Sequence, residues 1–315
     1  MFAIVAPGQG SQTPGMLAVW LRDPARAELV RAWSEAADCD LAHLGTRASA
    51  AEIARTEHTQ PLLVAQGLLA GADPLRTLPR DSAVVAGHTV GELTAAGCAG
   101  VLSAADAVRL AAIRGRAMAA ACAEAPTSMT AVVGGDETIV LDRLAKLDLT
   151  AATFNGPGQI VAAGAVENLE KLAAAPPAGS TVKRLAVAGA FHTRYMESAR
   201  QAFAAAAAAT AFHHPVQALL SNADGTVVTS PEEFRQRLVE QLVRPVRWDL
   251  CMATVGRLGP DSTACLPPAK TLAGIFKRQY PHLDVLSVNT PRDLAAAGIR
   301  WSATVGEGAS AHAGV

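Results

Sequence analysis

The chain has 315 residues, of which half are hydrophobic and only 4% are aromatic. This length suits one large domain, or a large domain that carries a smaller insertion. The 27 lysines and arginines balance the 28 aspartates and glutamates, so no global field would draw the protein to nucleic acid or to an acidic membrane. Five cysteines, an odd number without Cys-x-x-Cys spacing, predict neither a disulfide framework nor a metal site. Because no signal peptide or membrane-spanning run is present, we expect a soluble, cytoplasmic protein.

The first part of the chain predicts short buried strands that alternate with helices. Phe2 to Ala6 is an apolar run that stops at Pro7-Gly8-Gln9-Gly10, which indicates a strand entering a glycine loop. A second buried strand is expected over residues 83–86, and helices over residues 16–37, 60–69, 92–100 and 104–121. We place Pro61 near the first turn of the second helix, and Ser103 as the cap of the fourth.

The segment from Met129 to Val187 predicts a different architecture. Strands and helices follow the order β-α-β-β-α-β over residues 130–133, 137–147, 151–154, 159–163, 166–174 and 182–187. The turn Asn155-Gly156-Pro157-Gly158 joins the two middle strands. Because this order is the split ferredoxin-like pattern, we predict a small inserted subdomain over residues 128–189. Residues 1–127 and 190–300 then form the larger α/β subdomain with a parallel sheet.

The remaining residues return to the larger subdomain. An alanine-rich helix is expected to end near residue 211, a strand over residues 219–222 and a helix over residues 231–242. Pro245-Val246-Arg247-Trp248 is expected to open another helix. The Gly, Ala and Ser content near the end predicts a disordered tail over residues 301–315.

The motif Gly87-His88-Thr89-Val90-Gly91 follows the second buried strand and precedes a helix. A strand that turns sharply into a helix exposes one side chain and offers the unpaired N–H groups of the helix start. Such a turn presents a nucleophile, here Thr89, and stabilises the oxyanion that forms on attack. The motif alone does not separate this reading from an ordinary strand–turn–helix junction.

Three further features favour a catalytic site. The glycine loop at Gln9 supplies a second backbone N–H; the alternative is a plain turn. His192 lies in an apolar Gly-Ala-Phe-His segment where a base could be held, although a lone histidine is more often a satisfied core residue. Arg114 lies in an apolar helix beside Met118, and a buried arginine needs an anion. A surface position, or an internal carboxylate partner, is the alternative for Arg114.

Six motifs in this order resemble the malonyl-CoA:acyl carrier protein transacylases of fatty acid synthesis and the related polyketide acyltransferase domains. The resemblance extends from Phe2 to about Leu294, and the motif sequences are most similar to those of actinobacterial members. The motifs are Pro7-Gly8-Gln9-Gly10-Ser11-Gln12, Gly87 to Glu92, Arg114-Gly115, Asn155 to Gln159, Gly189 to His192, and Pro245 to Trp248.

The resemblance implies an α/β-hydrolase-like large subdomain and a role for each matching residue. Thr89 would carry the acyl group as an ester, His192 would be the general base, and the backbone carbonyl of Gln241 would orient that base. The backbone N–H groups of Gln9 and Val90 would form the oxyanion hole. The residues implied in substrate binding are Arg114, which would hold the malonyl carboxylate, with His88, Met118, Asn155, Gln159 and Phe191. Phe191 matches the residue that narrows the pocket and favours malonyl over methylmalonyl.

The implied reaction is ping-pong and needs no metal or redox cofactor. Malonyl-CoA and an acyl carrier protein, with its phosphopantetheine thiol, are the implied partners. Since the family's carrier protein is acidic, Lys183, Arg184, Lys277 and Arg278 are candidates for a docking surface, or else ordinary solvated charges. We expect a monomer, although the sequence carries no direct signal of oligomeric state.

The family has serine where this chain has Thr89. The hydroxyl is retained, but the added methyl group restricts χ1 and suits a strained elbow poorly. Three explanations are open: a working natural nucleophile, a change that slows turnover, or a chain that has lost transfer activity. The alternative functions are a polyketide acyltransferase acting in trans, an acyl-CoA thioester hydrolase, and a module that only binds acyl-CoA or carrier protein.

Overall fold

The computed structural model describes residues 1–298, apart from the side chains at positions 73, 74, 76 and 77. Within these residues the strands are β1 (Phe2–Ala6), β2 (Ala83–Gly87), β3 (Thr127–Gly134), β4 (Thr150–Phe154), β5 (Gln159–Ala165), β6 (Ser180–Arg184), β7 (Ala218–Leu219), β8 (Val246–Arg247), β9 (Ser262–Cys265) and β10 (Val285–Ser287). They form two separate sheets of five strands each.

The helices of the described residues lie mainly between these strands. They are α1 (Pro24–Ala37), α2 (Leu41–Thr46), α3 (Ala50–Ile53), α4 (Thr56–Thr77), α5 (Gly91–Cys98), α6 (Ala104–Cys122), α7 (Glu137–Lys146), α8 (Val166–Ala174), α9 (Glu197–Ala208), α10 (Pro231–Glu240), α11 (Trp248–Leu258) and α12 (Lys270–Gln279). Short 3₁₀ helices cover Trp20–Arg22 and Arg194–Met196. None of the helices described in residues 1–298 is both long and apolar enough to cross a bilayer.

The larger sheet is entirely parallel, in the order β10-β9-β1-β2-β7. All five residues of β1 and all five of β2 are buried, as expected of a parallel sheet that helices cover on both faces. Successive residues of β1 belong to different cores: Phe2 and Ile4 pack with one cluster, Ala3 and Val5 with the other. The continuous apolar runs in the sequence therefore reflect burial from two sides.

The smaller sheet has the order β6-β3-β5-β4-β8. Its first four strands are antiparallel and, with α7 and α8, follow the predicted β-α-β-β-α-β order. A third core, which includes Val132, Val140, Leu144 and Leu169, lies between this sheet and its helices. The predicted α/β class, with a parallel sheet and a second smaller sheet, is confirmed.

Several predicted elements have different bounds. The helix expected over residues 16–37 is interrupted at Asp23, whose extended backbone and side chain cap α1 directly before Pro24. Helix α4 begins at Thr56, so Pro61 lies beyond its first turn. The predicted strand over residues 219–222 is instead β7 (Ala218–Leu219), after which Leu220 forms an isolated antiparallel bridge with Val227. The predicted tail over residues 301–315 lies outside the described residues.

The most informative difference concerns residues 245–248. They do not open a helix at Pro245: Val246 and Arg247 form β8, which pairs in parallel with Thr153 and Phe154 of β4. Helix α11 starts only at Trp248. A strand from the later part of the chain thus completes the smaller sheet, which no local sequence pattern indicates.

Candidate active site

The predicted elbow is present where β2 meets α5. Thr89 has a φ of 51°, in the left-handed region that β-branched residues rarely adopt. Gly87 is required by close packing, because a Cβ there would lie 2.0 Å from the backbone carbon of Gly91. A non-glycine residue held in such a conformation stores about 1–3 kcal/mol of strain. The surrounding contacts must therefore hold Thr89 in place.

Asn222, at the start of the turn after β7, supplies those contacts. Its Oδ1 accepts a hydrogen bond from the Thr89 backbone N at 2.9 Å, and its Nδ2 donates to the Gly87 carbonyl at 2.7 Å. Asn222 is buried, so both bonds are shielded from water. The strained turn is thus clamped from a neighbouring segment of the same sheet edge.

The glycine loop after β1 packs directly on the elbow. A Cβ at Gly8 would lie 2.7 Å from both the Thr89 Oγ1 and the His88 carbonyl, so only glycine fits there. The N–H groups of Gln9 and Val90 line the same cleft as Thr89 and, within residues 1–298, donate to no protein acceptor. Two unpaired donors beside one hydroxyl are the arrangement that an oxyanion hole requires.

His192 is buried and also has positive φ, at 61°. Its Nδ1 lies 2.7 Å from the Gln241 carbonyl oxygen, which can only accept, so Nδ1 carries the proton and Nε2 is left as the basic nitrogen. Burial, aided by the charge of Arg114, lowers the pKa of His192 to about 3. The imidazole is therefore neutral at physiological pH. No hydrogen bond joins it to the Thr89 hydroxyl in the described part of the chain.

Arg114 is 1% exposed and extends from α6 into the cleft. Its guanidinium donates to the side-chain oxygens of Gln60 and Gln241, at 2.8 Å each, while Nε has no partner in the described structure. No carboxylate of residues 1–298 pairs with it directly; burial lowers the pKa of Arg114 to about 10, so it remains charged at neutral pH. The surface position and the direct carboxylate pair considered for Arg114 are both wrong. A buried cation with spare donors instead faces the cleft.

His88 connects the elbow to the smaller sheet. Its Nε2 lies 2.9 Å from Asn155 Oδ1, and its ring meets the edge of Trp248 with centroids 5.4 Å apart. Burial lowers the pKa of His88, so it is neutral and Nε2 donates to the amide oxygen. The two sheets therefore contribute to one site.

These residues surround one cleft of about 370 Å³. All the sequence-predicted residues line it except Gln241, which lies behind His192 and Arg114; the lining set is Gln9, His88, Thr89, Val90, Arg114, Met118, Asn155, Gln159, Phe191 and His192. Sequence reasoning missed the wall formed by Leu185 to Val187, which was assigned to a strand, and by Ile275 of α12. It also missed Gln60, Glu92 and Asn222, which make the supporting hydrogen bonds.

Two of the missed residues stood within recognised segments. Glu92 ends the elbow motif, and Asn222 precedes the turn after β7. A polar residue directly following an apolar strand at the carboxyl edge of a parallel sheet is the signal that could have identified Asn222. No local pattern marks Gln60, because only the tertiary contact between α4 and α6 brings it to Arg114.

The comparisons with known proteins give one family across most of the chain. Residues 3–289 match the family model described as "Acyl transferase domain". The "Malonyl CoA-acyl carrier protein transacylase" of Mycobacterium tuberculosis is 53% identical over 296 residues, which are 93% of this chain and 98% of the relative. The protein of the same name from Mycolicibacterium smegmatis is 50% identical over 284 residues, which are 89% of this chain and 98% of the relative.

Solved structures show the same likeness. The crystal structure of "MCAT from Mycobacterium tuberculosis" superposes with a TM-score of 0.90 at 52% identity, over 93% of this chain and 98% of that one. A "type II PKS acyl-carrier protein in complex with its malonyl-transacylase" gives a TM-score of 0.87 at 30% identity, over 95% and 99%. With a family match across most of its length and relatives at half identity or more, this chain belongs to the acyl transferase domain family.

Proposed function

We propose that this chain transfers a malonyl group from malonyl-CoA to the phosphopantetheine thiol of an acyl carrier protein, through an ester on Thr89. One observation carries the proposal: a buried arginine, without a carboxylate partner among residues 1–298, shares a cleft with a hydroxyl on a strained elbow and a neutral histidine. Arg114 selects an acyl group that ends in a carboxylate, since its planar fork matches two carboxylate oxygens. Malonyl is such a group.

In the first half-reaction the Thr89 Oγ attacks the thioester carbonyl while His192 Nε2 accepts the hydroxyl proton. The N–H groups of Gln9 and Val90 stabilise the oxyanion, the C–S bond breaks, and the CoA thiolate leaves with the proton from His192. In the second half-reaction the carrier's thiol gives its proton to His192 and attacks the ester carbonyl. The C–O bond breaks, and Thr89 recovers its proton from His192. These steps use no metal or redox cofactor.

The covalent state of Thr89 tests this function. After incubation with malonyl-CoA, we expect intact-mass spectrometry to show one malonyl group on the protein and peptide mapping to place it on Thr89. Thr89→Ser should acylate up to about tenfold faster, because removing the β-methyl relieves part of the strain and about 1.4 kcal/mol corresponds to tenfold. Thr89→Ala is the control and should carry no adduct. An adduct on Thr89→Ser with none on the wild type would contradict the proposal.

Transfer must also be separated from hydrolysis. Purified carrier protein, added to the malonylated enzyme, should collect the malonyl group faster than free malonate appears. A hydrolase would release malonate whether or not the carrier is present.

The proposed carrier docks against basic residues beside the cleft mouth. Lys183 and Arg184 directly precede the wall at Leu185, and Lys277 and Arg278 follow Ile275. All four are exposed, and none forms a salt bridge with the described residues. Basic side chains left without partners on two sides of an opening favour an acidic partner there.

Charge reversal tests this docking surface. Lys183→Glu with Lys277→Glu should leave malonylation by malonyl-CoA unchanged and slow transfer to the carrier, most strongly at low salt where screening is weakest. Lys171→Glu, on the exposed side of α8, is a matched control that should change neither step. Unchanged transfer by the double variant at low salt would exclude these residues as the docking surface.

A further inference from the structure

Glu92 is a buried carboxylate outside the cleft. It lies in the first turn of α5 with 1% of its surface exposed. Its Oε1 accepts the backbone N–H of Asn222 at 2.5 Å, and its Oε2 accepts the side-chain Nε2 of Gln241 at 2.5 Å. Burial raises the pKa of Glu92 to about 8, although its two donors and the charge of Arg114 favour the ionised form.

The Gln241 side chain connects Glu92 to Arg114 by one hydrogen bond at each end of its amide group. The Gln241 amide has Nε2 towards Glu92 and Oε1 towards the Arg114 guanidinium, 2.8 Å away. A guanidinium only donates, so the amide oxygen must face Arg114, and the Gln241 Nε2 is then the end that donates to Glu92 Oε2. Glu92 therefore holds the Gln241 amide in this orientation, although it does not touch the arginine.

Gln241 also carries the bond that orients the base. Its backbone carbonyl accepts from His192 Nδ1 at 2.7 Å, and its side-chain Nε2 lies 3.1 Å from the Thr89 carbonyl. Holding the Gln241 side chain therefore limits movement of the residue whose carbonyl fixes the histidine.

The second bond of Glu92 leads to the elbow. The Asn222 backbone is held by Glu92 Oε1, while the Asn222 side chain clamps the Thr89 N and the Gly87 carbonyl. One carboxylate thus anchors both residues that support the nucleophile, the base and the arginine. Asn222 and Gln241 also approach each other, with Nε2 of Gln241 3.2 Å from Oδ1 of Asn222.

We propose that Glu92 is a positioning residue that orients Arg114 for the acyl carboxylate through Gln241 and holds the Thr89 elbow through Asn222. The inference rests on the proposed function, because it assigns Arg114 to a carboxylate on the substrate. The positioning role of Glu92 differs from a purely structural role in one respect. A structural residue would affect all acyl groups alike, whereas the Gln241 relay affects only those that need Arg114.

The test measures binding without chemistry, in a Thr89→Ala background that cannot form the ester. Glu92→Gln keeps the size of the side chain but places an amide NH₂ against one of its two donors. We expect the Kd for malonyl-CoA to rise about tenfold or more, the loss of one hydrogen bond to a charged group, and the Kd for acetyl-CoA to stay unchanged. Equal changes for both ligands, or none, would overturn the proposal.

Two matched variants sharpen the result. Gln60→Met removes the other anchor of Arg114 and, when Thr89 is present, should raise the KM for malonyl-CoA while lowering the acylation rate at saturation less than Glu92→Gln does. Glu92→Gln should raise KM and also lower that rate, since the elbow and the base depend on it. Cys98→Ala, at the other end of α5 and outside the cleft, should change neither quantity. Glu92→Gln that behaves like Cys98→Ala would contradict the relay.

Further outcomes separate a failure to fold, a failure of the proposed function and a failure of the Glu92 relay. Should Glu92→Gln not fold, Glu92→Asp, which retains the carboxyl group but withdraws it by one methylene, must show the same malonyl-specific loss. Failure of the Thr89→Ala chain itself to prefer malonyl-CoA over acetyl-CoA would refute the proposed function, and this inference with it. Preference that is present but independent of residue 92 would refute the inference alone.

Discussion

Replacement of Arg114 by alanine is expected to lower malonylation of Thr89 by roughly 10²-fold to 10⁴-fold, because two hydrogen bonds to a charged group contribute about 1.5–3 kcal/mol each. Acetylation from acetyl-CoA, which presents no carboxylate, should change far less. The ratio of the two initial rates of CoA release, followed by thiol detection, is the measurement. A fall in the ratio of the malonylation rate to the acetylation rate shows that Arg114 acts on the acyl carboxylate.

The control for Arg114→Ala is on the same helix. Arg109 also lies on α6 but bonds Asp106 and Thr210, away from the cleft, so Arg109→Ala should leave the ratio unchanged. Arg114→Lys keeps the charge but loses the fork, and it should recover only a small part of the discrimination. A parallel fall of both rates in Arg114→Ala would show that the arginine supports the fold rather than the substrate.

Replacement of His192 by alanine should slow acylation on the order of 10²-fold to 10⁴-fold, the contribution of a positioned general base. Nδ1 is bound to the Gln241 carbonyl, so Nε2 is the nitrogen left free to accept a proton. Single-turnover malonylation, followed by intact mass, measures this step directly. His214→Ala, at an exposed histidine, is the control and should acylate at the wild-type rate.

The wild-type pH dependence tests the same residue. With a pKa of about 3, His192 stays neutral from pH 7 down to pH 5, so the acylation rate should not show the loss near pH 6.5 expected of an ordinary histidine. The unfolded chain does bind a proton on His192 below pH 6.5, whereas the folded chain does not. Stability should therefore fall as the pH drops from 6.5 towards 3, and less so in His192→Ala. A rate that halves near pH 6.5 while the protein remains folded would contradict this account.

Local patterns were sufficient to predict the elbow, the glycine loop and the buried arginine, and most of the fold. The strand before Gly87, the glycine loop at Gln9 and the apolar helix around Arg114 each have a signature in the nearby sequence. The β-α-β-β-α-β order was likewise readable from periodicity, because each element is amphipathic or buried in its own way. The boundaries of the inserted subdomain at residues 128–189 remain a prediction.

What the sequence did not reveal depends on contacts between distant residues. Asn222 reaches Thr89, and Gln60 reaches Arg114, only because the sheet and the helices bring them together. The interruption at Asp23 shows a competing local signal, since an Asp-Pro pair caps a new helix more readily than it continues an old one. The strand at Val246 is too short to have a periodicity, so its partner strand alone defines it.

The pairing of β8 with β4 has a consequence for exchange between relatives. The inserted segment does not form the smaller sheet by itself, since the fifth strand comes from residues 246–247. Across this strand pair, the Arg247 guanidinium lies 4.7 Å from the centroid of the Phe154 ring. A chimaera that replaced the inserted segment alone would combine Phe154 of one parent with Arg247 of the other. The next residue, Trp248, packs on His88 beside Thr89, so a mismatch between the two parents at β4 and β8 would directly affect the elbow. Successful recombination would have to move both stretches as a pair.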